Sequence, residues 1–196
     1  MVGNGLATSL GKDEEILKKH VEQSLEENYK VFNMQMDVHY AHVIMLYEQG
    51  IITEDEAFKI LGALLEVSEK GPSIIPLKPG LTDLYSNLEE WLIDKVGLET
   101  GGKLHIGRSR NDMDLTIDRM YTRASLINFS KAVRYLMDGL LKQAEEHIET
   151  IIPGYTHHSQ HAQPTTLGHF FMAFFKIFQR DLERAYNSYM HTNISP

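Results

Sequence analysis

The residues most able to do chemistry lie between Gly101 and Asp112, which read Gly-Gly-Lys-Leu-His-Ile-Gly-Arg-Ser-Arg-Asn-Asp. Two arginines beside a serine hydroxyl and an asparagine amide can form a planar fork of donors suited to carboxylates. The glycines allow backbone to approach a ligand closely. If a helix starts here, its free N–H groups and macrodipole also favour an anion. That combination points to small dicarboxylic acids. A plain helix cap is the competing explanation, with Ser109 or Asn111 capping and Arg108 and Arg110 in solvent. From these residues alone the two explanations carry equal weight.

A second cluster follows at Gly154-Tyr155-Thr156-His157-His158-Ser159-Gln160-His161-Ala162-Gln163-Pro164. Histidine titrates near neutral pH and can give or take a proton. A metal is the rival use, because His158 and His161 have the spacing of paired ligands on a helix. Neutral amides, not Asp or Glu, surround them, which weighs against metal. The plainest alternative is a polar turn between helices. His39 and His42 fit partly buried, hydrogen-bonding positions, whereas His20, His147 and His191 fit the surface. The aromatic stripe from Phe170 to Phe178 fits a core.

The elements that must position these groups read as helices. One is expected over 13–30, with Ile16, Leu17, Val21 and Leu25 at helical spacing, and a second over 37–48, with Val38, Ala41, Met45 and Leu46 on one side. Gly50 closes the second. Thr53 and Glu56 form a capping box for a third, whose apolar positions are Phe58, Ile60, Leu61, Leu64, Leu65 and Val67. Pro72, Pro76 and Pro79 interrupt the pattern. Thr82 or Asp83 restarts it, with Leu84, Leu88, Trp91, Leu92 and Val96 facing a core. Residues 97–107 are expected as a loop.

Beyond Asp112, Leu126, Phe129, Val133, Leu136, Met137, Leu140, Ala144, Ile148 and Ile151 recur at three- and four-residue steps. They predict one helix from near Ser109 to before Pro153, about 60 Å long. Residues 153–164 are expected as a loop, and a second long helix from Thr165 or Thr166. That helix is apolar around much of its circumference and needs other helices around it. Further chain or other subunits must supply them. The fold class is all-α: a small N-terminal helical domain over 1–112, then long helices of a central bundle over 113–196.

Composition narrows the function. The chain has 196 residues and a net charge of −8, which argues against nucleic-acid and membrane-surface binding. It contains no cysteine, so disulfides and thiolate chemistry are excluded. No apolar run reaches the length of a membrane span, and Met1–Gly11 lacks the pattern of a signal peptide. These features fit a cytoplasmic protein.

Together the two clusters resemble the argininosuccinate lyase branch of the fumarase/aspartase superfamily. The likeness rests on Gly101–His105 with Gly107–Asp112, on Pro153–His157, and on Gln160-x-Ala162-Gln163-Pro164-Thr165-Thr166-Leu167-Gly168-His169. It extends more weakly through Asp83–Val96 and Ala41–Ile52.

The resemblance implies an all-α homotetramer whose active sites draw segments from three subunits. It implies cleavage of argininosuccinate to arginine and fumarate by β-elimination, as in arginine biosynthesis, with no metal or organic cofactor. Ser109, Arg110 and Asn111 would hold substrate carboxylates and polar groups, with Thr156 and Gln163 as further binding residues. A histidine would protonate the leaving nitrogen. Neither nucleic acid nor membrane is an expected partner.

Four departures qualify the likeness. Ile106 stands where the family usually has threonine, and His39 where it has a serine. One extra residue separates Thr156 from Gln160. Counted from the left the catalytic histidine is His157; counted from the right it is His158, which the longer downstream match favours. The family's serine-rich loop with its Met-Pro-Lys-Asn signature is absent. The chain is therefore expected to be an N-terminal fragment without lyase activity of its own. The alternatives are a lyase for another N-substituted aspartate, or a non-catalytic bundle protein on the same scaffold.

Overall fold

A computed structural model describes residues 14–78, 81 and 83–196, with side chains of the first helix described from Asn28 onward. The expected face at Ile16, Leu17, Val21 and Leu25, the placement of His20 and Pro79, the restart at Thr82 and the reading of Met1–Gly11 lie outside the described residues.

Helix α1 spans Glu14–Glu48, α2 Glu54–Lys70, α3 Leu84–Val96, and α4 is a single turn over Leu98–Gly101. Helix α5 spans Arg110–Glu146 and α6 Leu167–Thr192, with strands β1 Ile151–Thr156 and β2 Gln160–Thr166 between them. Turns of 3-10 helix occupy Pro72–Ile74, Gly102–His105 and His157–Ser159. The chain divides into two compact units, one up to Asp118 and one from Arg119 to Ser195.

In the first unit α1, α2 and α3 share one core. Phe32, Met36, Val43 and Leu46 of α1 meet Ile60, Leu64 and Val67 of α2 and Leu84, Leu88 and Leu92 of α3. Each fully buried side chain of this kind contributes roughly 1.5–3 kcal/mol. The two helices expected over 13–30 and 37–48 are one. Residues 31–36 contain neither glycine nor proline, and Phe32 and Met36, four apart, both enter the core.

Helix α2 starts as its residues dictate: Thr53 accepts the Glu56 N–H, and the Glu56 carboxylate accepts the Thr53 N–H. Its buried face is Ala57, Ile60, Ala63, Leu64 and Val67. Phe58 and Leu65, expected inside, are 79% and 52% exposed. Each lies one position beyond a buried residue, about 100° around the axis. The loop expected over 97–107 is instead α4 and a 3-10 turn, with Leu104 plugged into the core.

In the second unit the loop expected over 153–164 is an antiparallel hairpin. Ile151 pairs with Thr166, Pro153 with Pro164, Gly154 with Gln163 and Thr156 with Gln160, with an irregularity between Gly154 and Tyr155. A Cβ on Gly154 would lie 2.8 Å from the Gln163 carbonyl oxygen, so glycine is what lets the strands close here. Helix α6 begins where Thr166 accepts the His169 N–H. Its Gly168 donates to the His147 carbonyl at 2.9 Å. Val133, Met137, Ala144 and Ala185 are buried, while Phe129, Leu136, Phe170, Phe174 and Ile177 are between 40% and 48% exposed.

Candidate active site

The first cluster is built where the 3-10 turn Gly102–His105 hands the chain to α5. Gly107 has φ 68°, a left-handed conformation that glycine adopts without strain, and it turns the backbone toward Ser109. Gly101 serves packing, because a Cβ there would lie 2.9 Å from the Ile93 Cα. Gly107 and Gly101 thus have structural duties in this turn, while a Cβ on Gly102 or Gly107 would meet nothing within 4 Å.

Ser109 caps α5. Its Oγ accepts the Asn111 N–H at 3.2 Å, and the Asp112 carboxylate accepts the Ser109 N–H at 3.0 Å. The arginines, however, are not in solvent. Arg108 turns inward, its Nη2 donating to Nδ1 of His39 at 3.2 Å and to the Leu104 carbonyl at 3.3 Å. Arg110 forms an ion pair with Asp83 and lies over the Tyr85 ring, 5.1 Å from its centroid. Asp83 in turn caps α3 by accepting the Ser86 N–H at 2.7 Å. Burial alone would raise the Asp83 carboxyl, but the Ser86 N–H and the Arg110 guanidinium outweigh it and hold the group below the usual carboxylate range. Arg110 is therefore fixed in place, with Ser109 and Asn111 exposed beside it on the first turn of α5.

Behind this turn lies a buried polar layer. His39 is fully buried and stacks on Tyr85, with centroids 5.5 Å apart and planes 12° from parallel. Burial, then the neighbouring Arg108, His42 and His105, pushes the His39 imidazole down to about 3. His42 donates from Nε2 to the Ile106 carbonyl at 3.0 Å and is also lowered, by burial and then Arg108. The Tyr85 hydroxyl lies 2.6 Å from Glu89 Oε1 and 2.5 Å from His105 Nδ1.

The second cluster sits on the hairpin of the other unit. Thr156 Oγ1 shares a hydrogen bond with His157 Nδ1 at 2.9 Å. The turn between the strands is His157-His158-Ser159, with His158 at φ 51° and Ser159 at φ 58°, both left-handed. The extra residue noted between Thr156 and Gln160 falls within this turn. Thr156, His157, His158 and Gln163 are all exposed. His161 packs on Tyr155 at 5.2 Å. Among the described residues His157, His158 and His161 do not converge as a metal-ligand group.

The structure thus brings Ser109, Arg110 and Asn111 together in one unit, and Thr156, His157, His158 and Gln163 onto one hairpin in the other.

The family described as lyase matches residues 11–196. The chain belongs to the lyase family. It is 40% identical over 173 residues to the argininosuccinate lyase of Methanocaldococcus jannaschii, covering 88% of this chain and 36% of that protein. It is 40% identical over 185 residues to that of Methanosarcina barkeri, covering 94% and 37%. It therefore spans little more than a third of the length of these relatives. Among solved structures, an EDDS lyase in complex with formate is 36% identical with a TM-score of 0.74, over 85% of this chain and 32% of that one. A fumarate lyase from Mesorhizobium sp. BNC1 is 25% identical with a TM-score of 0.66, over 81% and 37%. The all-α fold of the superfamily is that of this lyase-family chain, with the hairpin as its departure from pure helix.

The groups that hold the first motif in this lyase do not stand out in the sequence: Asp83 reads only as a helix start, and Tyr85 and Glu89 belong to no motif. The signal was there: Tyr85 and Glu89 are four apart on α3, polar residues flanking the apolar positions Leu84 and Leu88.

Proposed function

We propose that this chain supplies the N-terminal segments of a carbon–nitrogen lyase that cleaves argininosuccinate into arginine and fumarate by β-elimination, within arginine biosynthesis in the cytoplasm. The observation that carries the reading is Arg110, immobilised by Asp83 and Tyr85 beside exposed Ser109 and Asn111 at the N-terminus of α5. A guanidinium fixed in advance at the positive end of a helix dipole stabilises a carboxylate whose charge grows as the neighbouring proton leaves. Ser109, Arg110, Asn111, Thr156 and Gln163 bind substrate. His158, with His157 as its alternative, protonates the leaving nitrogen. The reaction in this form needs neither metal nor organic cofactor.

In this reading residues 1–112 are an N-terminal domain and 113–196 the start of a bundle shared by four subunits. A helix of 37 residues measures about 55 Å. In this reading the active site takes the two motifs from different copies of the chain.

The likeness to EDDS lyase favours a second substrate reading, another N-substituted aspartate. Both readings are tested by following fumarate absorbance with a panel of N-substituted aspartates, using the chain joined to the further segments its relatives carry. Activity confined to argininosuccinate supports the first reading, activity confined to another aminosuccinate supports the second, and no fumarate from any of them rejects both. In the active protein Arg110→Ala should lower kcat/KM by roughly 100-fold or more. His158→Ala should do likewise, and His157→Ala should cost less; the reverse order would move the catalytic role to His157.

A further inference from the structure

The contact between Glu89, Tyr85 and His105 has no part in the reading above. Its hydrogen bonds can be assigned by counting donors. An ionised Glu89 only accepts, and the Tyr85 hydroxyl has one proton to give. If Tyr85 gave that proton to His105, the carboxylate 2.6 Å away would face an oxygen with no hydrogen. If Tyr85 donates to Glu89, the 2.5 Å contact to His105 requires that Nδ1 carry a hydrogen and donate to the Tyr85 oxygen. Only the second arrangement satisfies all three groups. Burial and then Glu89 raise the Tyr85 phenol, which keeps it protonated as the assignment needs.

Neutral His105 is then the Nδ1–H tautomer, and its lone pair is on Nε2, across the ring from the anchored nitrogen. The side chain is 37% exposed and stands four residues before Ser109. We propose that His105 is a proton carrier of the Ser109–Asn111 site, with Tyr85 and Glu89 as its positioning residues. Nε2 takes a proton from an acid X–H; the X–H bond breaks, its electron pair stays on X, and His105 becomes imidazolium. Glu89, 3.4 Å from Nδ1 and bridged to it by Tyr85, offsets the new charge. The other charged or titratable groups of this layer are His39 and His42 on α1, Arg108, and Arg110 over the Tyr85 ring with its partner Asp83. The proton returns to solvent or to a departing group by the same nitrogen.

The inference rests on the reading of Ser109–Asn111 as a binding site, but its test needs no substrate. Nitrogen-15 NMR of the imidazoles in this chain tests it without any assay of fumarate. Neutral His105 should show Nδ1–H, and Tyr85→Phe, which preserves ring volume, should switch it to Nε2–H. An Nε2–H tautomer in the unaltered chain, or no switch in the variant, overturns the proposal. Should Tyr85→Phe fail to fold, Glu89→Gln is read by diethyl pyrocarbonate labelling and peptide mass spectrometry. The limiting rate of carbethoxylation at alkaline pH, where the imidazole is fully neutral, should be several-fold lower for His105 in Glu89→Gln than in the unaltered chain, whereas an unchanged or higher limiting rate overturns the role of Glu89.

Discussion

His39 shows how one side chain links site and stability. It is fully buried, bonded to Arg108 and stacked on Tyr85, so it stays neutral in the folded chain down to about 3. Unfolded, it protonates near its ordinary value of 6.5. Between those limits the unfolded chain binds the extra proton, so stability is full above about 6.5 and falls as pH drops toward 3. His39 alone can give a slope of up to about 1.4 kcal/mol per pH unit. Urea denaturation from pH 7 to pH 4 should show that slope reduced in His39→Asn; an identical slope would mean that other groups set the pH dependence. Little of this was legible beforehand. Spacing marks His39 and His42 as hydrogen-bonding histidines, but not Arg108 turned inward against His39. A pattern such as Arg-Ser-Arg specifies donors without their direction, and the partners that decide it, Leu104 and Asp83, come from other elements.

Among the elements, helices were read well where a cap or a proline marks the end, and poorly elsewhere. Thr53 with Glu56, and Thr166 before α6, are local signals, because the bonds they make lie within four residues. The hairpin was hidden because its pairing is set by strands that meet only after the turn, and prolines and a glycine occupy positions that rarely mark strands. Gly168 holds the return of the hairpin against the end of α5: a Cβ there would lie 2.6 Å from the Ala144 carbonyl oxygen and 3.0 Å from that of His147. Both obstacles are backbone, so neither can swing aside. Gly168→Ala should destabilise the chain by about 1–3 kcal/mol, read as a lower urea midpoint at unchanged slope. No shift would show that the helix start can slide at no cost.

For the molecule as a whole, the excess of apolar surface on α5 and α6 was legible from periodicity, since more apolar positions recur there than two helices can cover. The second unit keeps an apolar groove of ≈ 470 Å³ lined by Leu126, Ile127, Leu182, Ala185, Tyr186 and others. Phe174, 40% exposed, belongs to the same helix. If these helices enter a four-subunit bundle, Phe174→Asp should shift sedimentation from a larger species to the single chain at equal concentration; an unchanged distribution would place assembly elsewhere. The hairpin raises the opposite question, how an exposed two-stranded ribbon avoids unwanted association. Ile151 and Tyr155 are 75% and 60% exposed, and both outer edges carry unpaired backbone. Pro153 stands directly opposite Pro164 in mid-ribbon. Neither residue has an N–H, so at that rung neither edge can offer the donor that a third strand would need. The two prolines act as blanks in the ladder, keeping the ribbon that carries Thr156 and His158 from templating the growth of a sheet.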